Sequence, residues 1–492
     1  MKKRSLLATR APAFVAASVL TACTAFGPPR AAPSVASSAH YSIAPPNPQL
    51  TAAYGPPQQL VIGAAPIPEW WRAFASPELD ALVSEALDQN QSLAAAKANL
   101  RAAHEQLREQ VGNNLYPHLD AGVAASRQRA LSIPGLPQQT FTYDVFAAEV
   151  QGGWTLDLFG ASMLADRALL GQVRAQAYEF EVERRAVAFN VVLAAINAAS
   201  LRAQIDAVAA YADAQEHRAR QLRERYELGS ATRLDMLSAE DEAAEAQRVL
   251  PPLRRQLHTV QHAEAVLLGR TPDAAPAALS LDELHLPDRL PVAVPSELLH
   301  QRPDILAAEA AVRAGADAAG AASAALYPSL TLSAAYGRGG FDWSTFASPA
   351  GAIWSAGASL TQPLFHGGAL RARQRQYQAA YEAAVAQYRQ TVLTAFQSVA
   401  DTLVSLDEDA KELEQTHRSA EALKEVQQET EERYAHGAAP LYAVLGARSQ
   451  YQNAYVTYVT ARATRLADSA GLLDAMGNPT SASSLSGADS AD

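Results

Sequence analysis

Two histidines are the residues of this 492-residue chain whose spacing most directly suggests chemistry. His258 and His262 lie four residues apart in a helical pattern, so they would share one face of the helix and could bind a metal ion. The glutamate of a zinc-protease motif is missing and the sequence offers no third ligand, which favours a solvated helix face. A metal-dependent hydrolase is the alternative, and a chelator would then change its stability or activity.

No other part of the sequence has a pattern typical of catalysis. A nucleophile elbow, a phosphate-binding loop and a dinucleotide-binding fingerprint are all missing. The glycine-rich run 337–340 (Gly-Arg-Gly-Gly) is better interpreted as a loop that connects two strands. The sequence therefore predicts that the chain is not an enzyme and uses neither a metal nor a cofactor.

The single cysteine, Cys23, follows a segment typical of an exported bacterial protein. Residues 1–22 contain four basic and no acidic groups, and their apolar run 11–20 is too short to span a bilayer. Leu20-Thr21-Ala22-Cys23 resembles the bacterial lipobox, in which cleavage leaves the cysteine as a lipid-modified, palmitate-bearing N-terminus. Thr24 replaces the aspartate usual in lipoproteins retained at the inner membrane. We expect an outer-membrane anchor; a chance cysteine after an ordinary signal peptide is the alternative.

The charge and hydropathy of the chain limit its partners. The formal net charge is -11, and the chain after residue 22 is more acidic still, so nucleic acid is excluded as a partner. No later stretch has the roughly 18 consecutive apolar residues of a transmembrane helix. If the chain crosses a membrane, it must do so with strands.

The sequence consists of two similar halves. In each half a helical pattern ends at a Tyr-Pro step (116–117 and 327–328), because proline disfavours helix at the preceding residue. Two alternating segments follow, each pair ends in Leu-Phe and then glycine (158–160 and 364–367), and two long helical patterns follow those. The offset between halves stays within about 205 to 211 residues, which indicates an internal duplication.

This duplication predicts the domain boundaries. After the signal peptide 1–22, the Pro-, Ala- and Ser-rich stretch 23–68 is predicted to be a lipid-anchored tether. The first repeat is predicted over 69–270, with strands at about 118–157 and long helices at about 160–270. An equatorial linker, 271–300, leads to the second repeat, 301–476, with strands at about 328–365 and long helices at about 367–476. Residues 477–492 are a flexible tail.

The alternating segments indicate strands of a membrane barrel. Phe146, Val150 and Trp154 share one face, whereas Glu149 and Gln151 share the other. This alternation over about ten residues, with aromatic residues near the ends, is typical of transmembrane β-barrels. Half-buried hairpins of a soluble protein are the alternative. Four strands cannot close a barrel, so several chains must share one. Two chains would give about eight strands and a filled interior, and three would give about twelve and a channel.

The long helical patterns predict closely packed, supercoiled helices. From Leu170 to Val208 the core positions alternate spacings of three and four, and Arg184 alone is not apolar. A helix over 160–229 would be about 100 Å long at 1.5 Å per residue, which is comparable with the depth of a compartment. A coiled-coil stalk is the alternative interpretation of the heptads alone.

Taken together, these features resemble the TolC-like outer-membrane efflux protein family, in particular its lipoprotein branch, which serves drug exporters of the resistance-nodulation-division (RND) type. The motifs that carry the resemblance span about residues 69–475: Trp70-Trp71 and 77–82 (PELDAL), both Tyr-Pro steps, both Leu-Phe exits, 302–305 (RPDI), the two Arg-Tyr tips at 225–229 and 433–437, and 266–269 (VLLG).

The resemblance implies a mainly α-helical protein with a membrane β-barrel portion. Each chain would supply four strands to the twelve-stranded barrel of a homotrimer, continuous with a long α-helical barrel. Such a trimer is the passive exit duct of a drug or small-molecule efflux system, docked to a periplasmic adaptor and an inner-membrane RND pump. A conduit for type I protein secretion and a lipid-anchored coiled-coil adhesin are the alternatives.

The resemblance also implies a closed aperture at the helical tips 225–237 and 433–445, which opens when the partners dock. Asp235 and Tyr434 fall where the family places the links that hold the aperture closed, and Arg433 and Arg448 are further candidates. Arg433 has an equally good interpretation as a solvated helix end. Many members have aspartates at the narrowest point, where this chain has Ala443 and Gly446. Asp235 or Arg448 would then set the local charge.

Overall fold

The computed structural model describes residues 26–34, 41, 49–50, 57–131 and 139–477. Cys23 and the predicted signal peptide lie outside these residues, as do residues 478–492 of the predicted tail. The chain forms two compact units. Of the described residues, the first unit contains 26–34, 100–131, 139–176 and Ala307–Tyr388, and the second contains 41, 49–50, 57–99, Ala177–Leu306 and 389–477.

Helices dominate the described residues. In chain order they are α1 Pro77–Gln89, α2 Gln91–Leu115, α3 Ala161–Glu227, α4 Arg233–Leu267, α5 Pro295–Leu298, α6 Pro303–Ala324, α7 Trp343–Ala347, α8 Ala369–Ala435 and α9 Leu441–Ala475. The strands are β1 Gln49–Leu50, β2 Gln58–Ile62, β3 His118–Leu131, β4 Thr140–Leu156, β5 Arg289–Val292, β6 Ser329–Gly340 and β7 Ala352–Thr361.

The long helices repeat the duplication of the sequence. Helices α3 and α8 both contain 67 residues, and α4 and α9 both contain 35. One window of α3 is apolar enough to cross a membrane, but more than half of it is buried, as expected for a core helix. Val187, Val191 and Ala198, predicted at the helix seam, are among its buried residues.

The first unit contains a four-stranded antiparallel sheet in the order β3-β4-β6-β7. Val150 of β4 pairs with Ala121 of β3 and with Tyr336 of β6, which in turn pairs with Trp354 of β7. Strands β3 and β7 are the two edges, so the sheet of one chain is open. The predicted mainly α-helical fold with a four-stranded sheet for the barrel portion is confirmed.

The two faces of this sheet differ in chemistry, as the alternation predicted. The register places apolar side chains on one face, and several of them are strongly exposed: Leu119, Val123, Tyr336, Trp354 and Leu360. The opposite face bears polar side chains, among them Asp120, Glu149, Gln151, Ser333 and Ser355. An exposed apolar face backed by a polar one suits a wall between lipid and water.

The prediction of a loop at 337–340 is wrong, since these residues form the end of β6. Gly337 pairs with Glu149, and a Cβ at Gly337 would lie only 2.3 Å from the carbonyl oxygen of Ala148. The glycine therefore allows a close strand pairing instead of a turn. The connection between β6 and β7 runs over 341–351 and includes α7.

The second unit contains a small sheet in the order β1-β2-β5, in which β2 pairs antiparallel with β1 and parallel with β5. Residues 58–62, inside the predicted lipid-anchored tether 23–68, thus form a strand that pairs with β5. The predicted equatorial linker contains β5, α5 and two short 3-10 helices, Pro272–Ala274 and Leu281–Glu283.

A fully buried arginine attaches β2 to α9. Arg465 has no exposed surface, and its Nε donates to Gln58 Oε1 at 3.0 Å. Gln58 Nε2 donates in turn to Ser469 Oγ and to the Pro287 carbonyl oxygen, both at 3.1 Å. Because a buried guanidinium needs acceptors, the glutamine is part of the fold and not of a linker.

We expect Gln58→Ala to destabilise the protein, because it leaves Arg465 Nε buried without its acceptor. The cost of an unsatisfied buried group is about 1–3 kcal/mol. The thermal midpoint of the detergent-solubilised protein, followed by circular dichroism, should fall. Gln59→Ala is the matched control, since Gln59 is the exposed neighbour on the same strand. Equal midpoints for the two variants would contradict this role of Gln58.

Candidate functional site at the helical tips

The two helical tips have the same backbone geometry. Helix α3 is followed by Gly229 and α8 by Gly437, each with φ of 73°. In each tip the glycine N–H donates to the carbonyl three residues back at 2.9 Å, and the next N–H donates to the carbonyl five residues back at 2.7 Å. This is the Schellman arrangement. In the second tip the acceptors are the carbonyls of Arg433 and Tyr434, so the backbone of both predicted residues holds the turn.

The helices that leave the two tips begin differently. Thr232 caps α4, since its Oγ1 accepts from the Asp235 N–H at 3.1 Å and donates to Asp235 Oδ2 at 2.6 Å. Helix α9 follows Pro440, whose side chain offers no cap. Ala443 lies in the first turn of α9, and a Cβ at Gly446 would meet nothing within 4 Å. The protomer therefore has room for a larger side chain at Gly446.

An ion pair joins α8 to α9 behind the second tip. Arg448 Nε lies 2.5 Å from Glu431 Oε1. The Arg448 side chain is 24% exposed and that of Glu431 is 32% exposed. Gln427 Nε2 also donates to Glu431 Oε1, at 3.0 Å. Burial disfavours the charged carboxylate, but the hydrogen bonds from Arg448 and Gln427 outweigh it, and the pKa of Glu431 is lowered.

A second pair of charges, from α3 and α4, faces this ion pair. The Arg218 guanidinium lies over the Tyr434 ring, 5.6 Å from its centroid. Burial lowers the pKa of Arg218, and repulsion from Arg448 lowers it further. Burial raises the pKa of Glu242, although its Oε1 accepts from Tyr211 Oη at 2.8 Å.

Charged groups from all four long helices thus meet near the tips. We call Arg218, Glu242, Glu431 and Arg448 the tip cluster. Two positive and two negative side chains at partial burial attract each other more strongly than exposed pairs do. Such a cluster can favour one arrangement of the helices over another.

The sequence profile of the outer membrane efflux protein family matches residues 82–270 and 294–478, which together are most of the chain. This chain belongs to the outer membrane efflux protein family. The pyoverdine export outer membrane protein OpmQ of Pseudomonas aeruginosa is 32% identical over 84% of this chain and 88% of its own length. The outer membrane protein OprJ of the same organism is 32% identical over 81% and 84%.

The solved outer-membrane channel OprN has the same fold, with a TM-score of 0.81 over 92% of this chain and 98% of its own length, at 24% identity. As a member of the efflux protein family, this chain is the outer-membrane channel of a tripartite efflux system and extends into the periplasm. Members of the family are passive conduits.

For this efflux channel, the structure brings two of the four predicted gate residues to the tip cluster. Arg448 belongs to it, and Tyr434 lies under Arg218. Arg433 is exposed, and in the described part of the chain the hydrogen bonds of the Asp235 side chain go to Thr232 alone. Within one protomer, Asp235 and Tyr434 are therefore not linked to each other.

Sequence reasoning missed Arg218, Glu242 and Glu431. One signal was present, since the apolar seam of α3 continues from Ala212 to Ala219 through Gln215, a polar residue at a core position. Gln215 is only 1% exposed. A polar residue in an otherwise apolar seam often fixes how two helices pair. Gln215 therefore indicated that the turn of α3 that also contains Arg218 has a special role.

The histidine pair lies away from the tip cluster, on the surface of α4. Both imidazoles are exposed, and their ring centroids are 6.4 Å apart. Among the described residues, no group of three or more His, Cys, Asp or Glu side chains could hold a metal ion.

We expect Arg448→Gln to loosen the second tip, because it removes the positive partner of a largely buried Glu431. A hydrogen bond to a charged group contributes about 1.5 kcal/mol, so amide hydrogen exchange across residues 433–445 should accelerate roughly tenfold. Mass spectrometry of deuterated peptides measures this rate. Arg418→Gln, at an exposed position of α8, should leave it unchanged. Equal exchange in both variants would exclude the pair as a restraint on the tip.

Proposed function

We propose that three copies of this chain form one exit duct for small organic molecules, with a periplasmic adaptor and an inner-membrane RND-type pump as partners. The observation that carries the proposal is the open four-stranded sheet with one exposed apolar face. Unpaired strand edges are not tolerated in lipid, so β3 of one copy must pair with β7 of the next. Three copies supply twelve strands, enough to leave a channel, whereas eight strands would be filled by side chains.

The polar face of the sheet supports a wet lumen in this arrangement. Asp120, Glu149 and Gln151 alternate with the apolar residues that face lipid. Solutes would pass along this wall without chemistry, driven by a pump in the inner membrane. The names of relatives include pyoverdine export, toluene efflux and fusaric acid resistance. This variety supports a conduit whose selectivity is set by its pump.

We further propose that Cys23 bears a lipid anchor at the membrane. Residues 26–34 lie against the first unit: the Phe26 ring is 4.9 Å from that of Tyr327, which precedes β6, and Arg30 pairs with the buried Asp317 at 2.9 Å. Tyr381 Oη donates to the Pro29 carbonyl oxygen at 3.0 Å. Phe26, three residues after Cys23 in the sequence, thus lies beside the residue that precedes the start of β6.

Native mass spectrometry of the detergent-solubilised protein tests the copy number and the anchor together. We expect a complex of three chains, each heavier than the mature polypeptide by its acyl groups. Cys23→Ser should remove that additional mass, and Arg30→Gln should retain it. A monomer that needs no detergent would contradict the shared barrel, and an unmodified wild-type chain would contradict the anchor.

The tips form the aperture of the proposed duct, and Asp235, Tyr434, Arg433 and Arg448 are the candidates that hold it closed. The Asp235 carboxylate keeps acceptor capacity beyond its bonds to Thr232, and Tyr434 lies beside the tip cluster. Links between neighbouring copies would shift a closed-to-open equilibrium when broken. With alanine and glycine at 443 and 446, no acidic ring narrows this aperture at those positions.

We expect Asp235→Ala combined with Tyr434→Phe to raise the single-channel conductance in planar bilayers, because the open state gains population. Asp213→Ala combined with Tyr178→Phe makes the same chemical changes on α3, away from the tips, and should leave the conductance unchanged. If the first variant conducts like the wild type, Asp235 and Tyr434 are not the links that close the aperture.

A further inference from the structure

The β3–β4 hairpin is longer than the rest of its sheet. Strands β3 and β4 contain 14 and 17 residues, whereas β6 and β7 contain 12 and 10. Strand β7 begins at Ala352, level with Arg338 of β6 and Ala148 of β4. The hairpin therefore continues beyond the last paired residue of β7.

The extended end of the hairpin is the outer one. Helix α3 begins just after the other end of β4, and the helices of an efflux channel extend into the periplasm. The end that lies near residues 131 and 140 therefore faces away from the periplasm. An orientation relative to lipid follows from the proposed barrel, on which this inference rests.

The apolar face of β3 ends abruptly at this outer end. Leu119, Ala121, Val123 and Ala125 share the face, and the next two residues on it are arginines, Arg127 and Arg129. Both are exposed, and Arg127 is opposite Asp144 and Arg129 opposite Thr142. On β3, the lipid-facing side thus changes from apolar to basic between Ala125 and Arg127.

Aromatic side chains mark the depth at which this change occurs. Phe146, opposite Ala125, packs against Trp343 at 5.8 Å and Phe346 at 6.1 Å between ring centroids. Aromatic residues form a girdle at the level of the lipid headgroups in membrane barrels. Arg127 and Arg129 lie just beyond the girdle, where the charged headgroups begin.

The two guanidinium groups keep hydrogen-bond donors available. Arg127 Nε is 3.7 Å from Asp144 Oδ1, which is too long for a hydrogen bond. Arg129 uses Nη2 for Thr140 Oγ1 at 2.9 Å. Since a guanidinium has five N–H donors in a planar fork, both arginines retain the geometry that suits a phosphate.

We propose that Arg127 and Arg129 form a binding site for the phosphate groups of a phosphorylated glycolipid in the outer leaflet of the outer membrane. The acyl chains of the lipid lie along the apolar face of β3, and its phosphates meet the two guanidinium groups. Asp144 competes with the phosphate for Arg127. Each copy of the chain supplies one such site.

The test uses the full-length protein in lipid nanodiscs, with lipid A in its phosphorylated and dephosphorylated forms as probes. Native mass spectrometry counts the lipid retained per chain. The wild type should retain the phosphorylated form preferentially. Arg127→Gln with Arg129→Gln should weaken retention roughly thirtyfold, given the usual contribution of each of two basic residues near an anionic surface. Asp144→Asn should strengthen it.

Arg254→Gln with Arg255→Gln is the matched control, because it removes two neighbouring exposed arginines from the periplasmic helix α4. It should retain phosphorylated lipid A like the wild type, and millimolar inorganic phosphate should not displace the lipid. Equal retention by the Arg127/Arg129 variant, or equal retention of the dephosphorylated form, would overturn the site. The same spectra report the copy number, so failure of the proposed trimer is seen separately.

Discussion

Every backbone N–H and C=O group that enters lipid needs a partner, because no water is present to replace one. The four strands of the β3-β4-β6-β7 sheet satisfy that demand internally, except along the outer sides of β3 and β7. The exposed side chains of one face are apolar, so contact of this face with water is unfavourable as well. These two facts are the basis for the proposed barrel shared by several copies, and α3 follows the end of β4 closely along the chain.

The duplication preserved the backbone of the helical tips more closely than their side chains. Helix lengths are identical between the halves, and both tips turn at a glycine with φ of 73°. The capping of the following helices has diverged, since Thr232 and Asp235 cap α4 whereas α9 follows a proline. A left-handed turn allows few residues except glycine, while a cap can be lost at modest cost. The two tips therefore share their backbone conformation and differ in their side chains.

The tip cluster places charged groups where a coiled coil would usually have apolar ones. Burial disfavours the charged forms of Glu242 and Arg218, and the opposite charges around each of them act against that effect. A packed apolar seam has one deep minimum, whereas an ion-pair network can be satisfied in more than one arrangement. The tips are thus the part of the helices best suited to change state.

The sequence by itself determined the elements whose cause is local. The alternation of β3, β4, β6 and β7, the heptads of α3 and the glycines at both tips are periodic or steric properties of short segments. The tertiary structure alone decided the strand at 58–62, which exists because β5 and the buried Arg465 supply its partners. It also decided the end of β6 at 337–340 and the meeting of Arg218, Glu242, Glu431 and Arg448. Their partners lie on distant segments, so no local pattern encodes them.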